Sequence, residues 1–177
     1  RDAGTPVVSD PGAALVAAAQ AAGHLTVPVP GASSVLAALS VAGDTDAAGF
    51  AFIGFLSAKG GERTSALAAL TDRTCEALVL FEAPHRIAAL LDALAAAMPS
   101  RRVTIGRELT KQFETVVTLD AAQAPDWLAA DAGVGMRPVG YGVEGIAGLH
   151  RVPLTIHLEA ERARLDGDDL ARATAVG

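Results

Sequence analysis

Residues 75–82, Cys-Glu-Ala-Leu-Val-Leu-Phe-Glu, constrain the fold more than any other stretch. A strand with one wet face alternates apolar and polar side chains, whereas here the run Ala77-Leu78-Val79-Leu80-Phe81 is apolar without a break. Both of its faces must be covered, which calls for helices on either side of a sheet. The helix signals agree. Asp10 and Pro11 precede "GAALVAAAQAAG" as N-cap and first helical residue, and Gly23 marks its end. Ser33 or Ser34 opens a second helix that stops near Gly43, and Ile87, Leu90, Leu91, Leu94 and Met98 recur every three or four residues on one face of another. Interleaved with these, "HLTVPV" (24–29) and "FAFIGF" (50–55) read as strands. The alternation predicts an α/β fold on a parallel sheet, with ligand loops at the carboxyl ends of the strands.

Further along, the polar loop "LSAKGGER" leads into a helix over "TSALAALT", and "RRVTIGREL" and "QFETVVTL" read as strands of a hairpin turning at Thr110-Lys111. A last helix covers 121–131, with Pro125 bending or restarting it. Beyond Asp131 six glycines punctuate residues 132–150, and neither helical nor strand periodicity survives there. "VPLTIHLE" is a further strand candidate, "AERARL" a helix turn, and the terminal "DGDDLARATAVG" reads as solvated.

Composition narrows the function. Aromatic residues make up only 4% of the 177, too few for a base-stacking platform. The formal charge of -6 argues against a broad basic surface, although a local cationic patch remains compatible with it. One cysteine supports neither a disulfide framework nor a thiolate zinc site, and no metal is expected. No apolar stretch reaches the length of a membrane helix and the first residues lack a signal-peptide pattern, so the expectation is a soluble cytoplasmic protein.

Four loops gather polar groups where strands should end: Asp2-Ala3-Gly4-Thr5-Pro6, Pro30-Gly31-Ala32-Ser33-Ser34, Glu82-Ala83-Pro84-His85-Arg86 and Arg107-Glu108-Leu109-Thr110-Lys111. Gly4 lets backbone amides approach a ligand, and Asp2 can accept from a hydroxyl or amine. Glu82, His85 and Glu108 are the candidate general bases. Arg86, Arg107 and Lys111, with Lys59 and Arg63 on the preceding loop, form the one concentration of positive charge. The blander reading of each loop is a capped turn, and of the cations a scatter over the surface. Neither a Walker A lysine loop nor a dinucleotide fingerprint is present.

Taken in order, "DAGTPVVSDPG", "GFLSAK", "FEAPHR" and "RELTKQFET" resemble the ribosomal RNA small subunit methyltransferase I family, among the tetrapyrrole-methylase-like methyltransferases, over about residues 1–131. The resemblance implies a two-domain α/β fold, here with an incomplete N-terminal domain: residues 1–48 from the cofactor domain, 49–131 as a second α/β domain, and 132–177 as a divergent tail. It implies S-adenosylmethionine as cofactor and 2'-O-methylation of a cytidine ribose in 16S ribosomal RNA, by a homodimer. Asp2, Gly4, Thr5, Pro6, Pro30, Gly31, Ser33 and Phe81 would line the cofactor cleft. Glu82, His85 or Glu108 would supply the base, and Lys59, Arg63, Arg86, Arg107, Thr110, Lys111 and Glu114 would face the RNA. Relative to the family pattern the chain is expected to lack a preceding strand and cofactor loop, and its tail lacks the family's "GE" and following apolar strand. Two other readings stay open: a related methylase acting on a tetrapyrrole or other small substrate, and a non-catalytic RNA-binding or dimerising remnant.

Overall fold

The computed structural model describes residues 12–131 and 154–159. Their order is α1 (Gly12–Ala21), α2 (Ser34–Ala42), β1 (Phe50–Phe55), α3 (Gly60–Ala68), β2 (Ala77–Glu82), α4 (Ile87–Ala97), β3 (Arg102–Arg107), β4 (Thr115–Asp120), α5 (Ala124–Asp131) and β5 (Leu154–Leu158). The strands form one sheet in the order β1-β2-β5-β3-β4.

Every residue of β2 is buried, as its unbroken apolar run requires. Leu78 and Leu80 point into the larger core with Ile87, Leu90, Leu91 and Leu94 of α4, while Val79 and Phe81 face the other way and cluster with Val35 of α2. The Ile87–Leu94 spacing thus does what its periodicity predicts, laying one apolar stripe of α4 on the sheet. Ser33 caps α2 by accepting from the Leu36 amide at 3.5 Å, and Gly43 ends it at φ 70°.

The sheet is mixed rather than parallel. Only β1 and β2 pair in parallel; β5 pairs antiparallel with both β2 and β3, and β3 antiparallel with β4. The cause is β5, drawn from the segment expected to be a divergent tail. Its Ile156 and Leu158 complete the larger core, and its backbone fills the gap between β2 and β3. "HLTVPV" forms no strand. Pro28 and Pro30 offer no N–H to a ladder, no described strand lies beside it, and Leu25, Val27 and Val29 are exposed. Helix α3 begins at Gly60, ahead of the expected Thr64, because the Lys59 carbonyl accepts from the Arg63 amide and draws both glycines into the first turn. At Pro125 the chain does restart: a 3-10 turn over Ala121–Gln123 gives way to α5. The expected "AERARL" turn, the terminal segment and the Asp10–Pro11 cap lie outside the described residues.

A bulge in β1 shapes the strand end that leads to the site. Phe52 pairs with Val79 and Gly54 with Leu80, so Ile53 is the extra residue and Gly54 takes φ 73°. A side chain at that φ is strained even though the space is open, the nearest atom to an added Cβ being 3.7 Å away on Phe52. Gly54→Ala is expected to lower stability by about 1–2 kcal/mol, read as a reduced urea midpoint at constant slope.

Candidate functional site

Strand directions bring two of the four polar loops, those after β2 and β3, together with the loop after β1. Because β2 and β3 both run antiparallel to β5, and β1 runs parallel to β2, the carboxyl ends of β1, β2 and β3 share one edge of the sheet. The loops holding Lys59, His85 and Lys111 leave from that edge, and β5 separates the last two strand ends by two strand spacings, about 10 Å. Val35, in the first turn of α2, packs in the cluster that holds Phe81, which turns the Pro30–Ser33 approach toward the same edge.

The loop after β2 is built on a buried charge. Glu82 is fully buried, and its two oxygens meet Arg86 at 3.0 Å (Nε to Oε1) and 3.2 Å (Nη2 to Oε2). The Ala83 amide donates to Oε1 at 2.8 Å, while Arg86 Nη2 donates to the Leu56 carbonyl at 2.6 Å. This clamp ties the loops after β1 and β2 together. Fixed guanidinium–carboxylate geometry of this kind is the reason an arginine, rather than a lysine, belongs there. Both residues are thereby engaged within the protein: Glu82 by Arg86 and the Ala83 amide, and Arg86 by Glu82 and the Leu56 carbonyl. His85, between them, is exposed and has no hydrogen-bond partner among the described residues.

The connection from β3 to β4 spans seven residues, 108–114, rather than a tight turn at Thr110-Lys111. Its polar side chains bond one another and leave the ladder. Lys111 Nζ lies 3.1 Å from Glu108 Oε2, the Glu114 carboxylate accepts from the Thr110 amide at 2.6 Å, and Arg107 Nη2 donates to the Thr115 hydroxyl at 3.0 Å. Glu108 (φ 52°) and Thr110 (φ 65°) both take left-handed backbone, at a strain of about 1–3 kcal/mol each. Glu108 is thus paired with Lys111 through a solvent-exposed contact, and one oxygen of Glu114 is turned onto its own loop.

Around the loop after β1, Lys59 pairs with Glu62 at 2.9 Å, and Glu62 also accepts from the Ser57 hydroxyl at 2.6 Å. The Ser57 hydrogen bond, then the one from Lys59, holds the Glu62 carboxyl below its ordinary value. Both members of the ion pair are exposed, so the contact is weak and Lys59 can exchange it for a phosphate. Arg63 is half-buried, and its Nε has no hydrogen-bond partner among the described residues.

Of the expected cofactor residues, Asp2, Gly4, Thr5 and Pro6 lie outside the described residues. Pro30 and Gly31 are exposed, and among the described residues an added Cβ at Gly31 would meet only the Val29 carbonyl at 3.9 Å. Ser33 is occupied as the α2 cap. Phe81 is buried, with the rings of Phe52 and Phe55 edge-on at 4.9 and 5.7 Å, and packs within the core rather than lining an open surface.

A pair not anticipated from the sequence joins α2 to the sheet. His157, on β5, is fully buried with Nε2 3.3 Å from Asp44 Oδ2, while Asp44 Oδ1 accepts from the Asp46 and Ala47 amides. Burial lowers the His157 pKa from 6.5; Asp44 pulls it up and Arg101 pushes it down. The folded state then binds fewer protons at this site than the unfolded one, so its contribution is complete above pH 6.5 and is lost as pH falls below that value. Burial raises the Glu159 carboxyl from 4.5 and acts in the opposite sense. Melting temperatures of wild type and His157→Gln, compared from pH 8 to 5, are expected to show a constant difference above 6.5 that shifts in the variant's favour below it.

The sequence falls among known proteins as follows. The family described as Tetrapyrrole (Corrin/Porphyrin) Methylases matches residues 2–125. The chain is 46% identical over 130 residues to the Ribosomal RNA small subunit methyltransferase I of Neisseria meningitidis serogroup B, covering 73% of this chain and 44% of that protein. The protein of the same name from Pseudomonas aeruginosa is 46% identical over 135 residues (74% and 46% covered), and that from Bacillus subtilis 37% over 130 (73% and 44%). The chain thus spans less than half the length of the curated relatives it matches. Among solved structures the fold is similar to the methyltransferase CobJ, with a TM-score of 0.56, 18% identity, and 89% of this chain and 62% of that one covered. It is also similar to uroporphyrin-III C-methyltransferase from Thermus thermophilus, with a TM-score of 0.55, 20% identity, and 89% and 61% covered.

Proposed function

Because this chain belongs to the tetrapyrrole (corrin/porphyrin) methylase family, we propose that it serves an S-adenosylmethionine-dependent methyltransferase of small-subunit ribosomal RNA. The acceptor in this reading is the ribose 2'-hydroxyl of a cytidine in 16S RNA, and the enzyme is a cytoplasmic homodimer. What carries the reading is the shared strand edge: in a chain of net charge -6 it collects Lys59, Arg107 and Lys111 with His85, the base candidate that has no partner among the described residues. An array of cations at one edge suits a polyanionic ligand such as a phosphodiester backbone. The relatives at 37–46% identity carry a ribosomal RNA methyltransferase name, which supports the same substrate class.

Asp2, Gly4, Thr5 and Pro6 would hold the cofactor with the open backbone at Pro30 and Gly31, and Ser33 keeps that loop in place by capping α2. When bound, S-adenosylmethionine supplies a methyl group activated by its sulfonium. The chain's own residues do the rest. Lys59, Arg107 and Lys111 hold the RNA backbone, and Arg63 adds charge behind Lys59. The Glu82–Arg86 clamp fixes the loop that carries His85. His85 accepts the 2'-hydroxyl proton as the oxygen becomes the nucleophile. Thr110 contributes through its backbone.

The test is transfer of labelled methyl from S-adenosylmethionine to 16S RNA and to assembled small subunits, with a reduced tetrapyrrole as the competing substrate. Ribose methylation of RNA alone supports the reading. Methylation of the tetrapyrrole overturns it, and RNA binding without transfer favours the non-catalytic remnant.

A further inference from the structure

Glu114 sits poorly on an RNA-binding face. A carboxylate beside phosphate-holding cations repels the backbone it should help to bind, and Glu108 already places one carboxylate in the same loop. Its geometry gives it other work. Thr110 is β-branched and held at φ 65°, a conformation such residues avoid, with Glu108 at φ 52° two residues earlier. The Glu114 carboxylate receives the Thr110 amide at 2.6 Å, an ionic hydrogen bond directed at the strained peptide itself. The loop is closed further by the Lys111 amide on the Glu108 carbonyl (2.9 Å), the Glu114 amide on the Lys111 carbonyl (3.2 Å) and Leu109 against Gly106, where an added Cβ would come within 3.0 Å.

We propose that Glu114 is a positioning residue: its carboxylate braces Thr110 in left-handed backbone and so fixes where Lys111 and Arg107 stand at the strand edge. That the braced cations meet RNA rests on the function proposed above; the brace itself does not. Two pictures differ in sign. If Glu114 were only a negative charge near the RNA, its removal would tighten binding. If it is the brace, removal weakens binding, because the loop is competent for a smaller fraction of the time.

The experiment uses the full 177-residue chain. Affinity for 16S RNA is measured at one fixed salt concentration for wild type, Glu114→Ala and Glu114→Gln, and the Thr110 amide is followed in the same proteins by NMR hydrogen exchange. A urea midpoint for each confirms folding. Glutamine keeps an acceptor oxygen without the charge. Glu114→Ala is expected to bind RNA about tenfold more weakly, Glu114→Gln within about twofold of wild type, and Thr110 protection to be lost in the alanine variant alone. Equal or tighter binding by Glu114→Ala overturns the proposal, as does an unprotected Thr110 amide in wild type. A wild type that binds no RNA but protects Thr110 in a Glu114-dependent way refutes the substrate and leaves the brace established.

Discussion

Replacing Arg101 with alanine is expected to remove about 3–5 kcal/mol of folding stability. Arg101 is among the largest fully buried side chains, and its guanidinium reaches three backbone carbonyls: Glu159 at 2.8 Å, Arg73 at 3.0 Å and Glu76 at 3.1 Å. Those carbonyls belong to the end of β5 and to the connection between α3 and β2. Without the guanidinium each is left short of a donor, at about 1–3 kcal/mol apiece, an upper bound that water reaching the partly exposed groups reduces. Domain stabilities are about 5–15 kcal/mol, so the variant stands close to the folding threshold. The check is urea unfolding, with a lower midpoint and an unchanged slope. Arg101→Lys is expected to recover little, because one ammonium cannot span carbonyls on two sides as a planar fork does. Full recovery by lysine would mean that charge, rather than fork geometry, is what the site uses. The consequence reaches the candidate site, since β5 sets the spacing between the His85 and Lys111 loops.

If the chain methylates RNA as proposed above, replacing His85 with alanine is expected to slow that reaction by about 10²–10⁴-fold with little change in stability. Its exposed side chain has no hydrogen-bond partner among the described residues, so little of the described fold depends on it. The other two candidate bases are engaged: Glu82 by Arg86 and the Ala83 amide, Glu108 by Lys111. Single-turnover rates at saturating cofactor and RNA, measured for His85→Ala, Glu108→Gln and wild type, separate the candidates. A large loss in His85→Ala with near-normal RNA affinity assigns it the proton. A large loss in Glu108→Gln alone, with His85→Ala near wild type, would move that role to Glu108 and require the Lys111 pair to open on binding.

Much of the frame is legible because its cues are local. The apolar run 77–81 demanded two covering layers, and α2 and α4 provide them. Ser33, Gly43 and the Ile87–Leu94 stripe fixed two helices through capping and period alone. The failures are pairings made at a distance. "HLTVPV" has strand composition, but strand formation needs a neighbour, and Pro28 within it and Pro30 just after it offer no N–H to a ladder. "LTIHL" is short and lies beyond a glycine-rich stretch, and nothing local says that it enters the middle of the sheet. Its burial of His157 against Asp44 was equally hidden, because the two residues are far apart in sequence.

The candidate site divides along the same line. The residue types, their grouping into four loops and the placing of those loops at strand ends follow from the sequence, since glycine, proline and capping residues act on their immediate neighbours. Which of those side chains remain available for a ligand was decided only by tertiary structure. Glu82 and Arg86 look like a base and an anion hook until burial forces them on each other, and Glu108 and Glu114 look outward until a strained loop folds back on both. Chemical type is a property of each residue alone; whether its charge is already spent depends on what the fold brings within 3 Å, and that is set by contacts no local signal records.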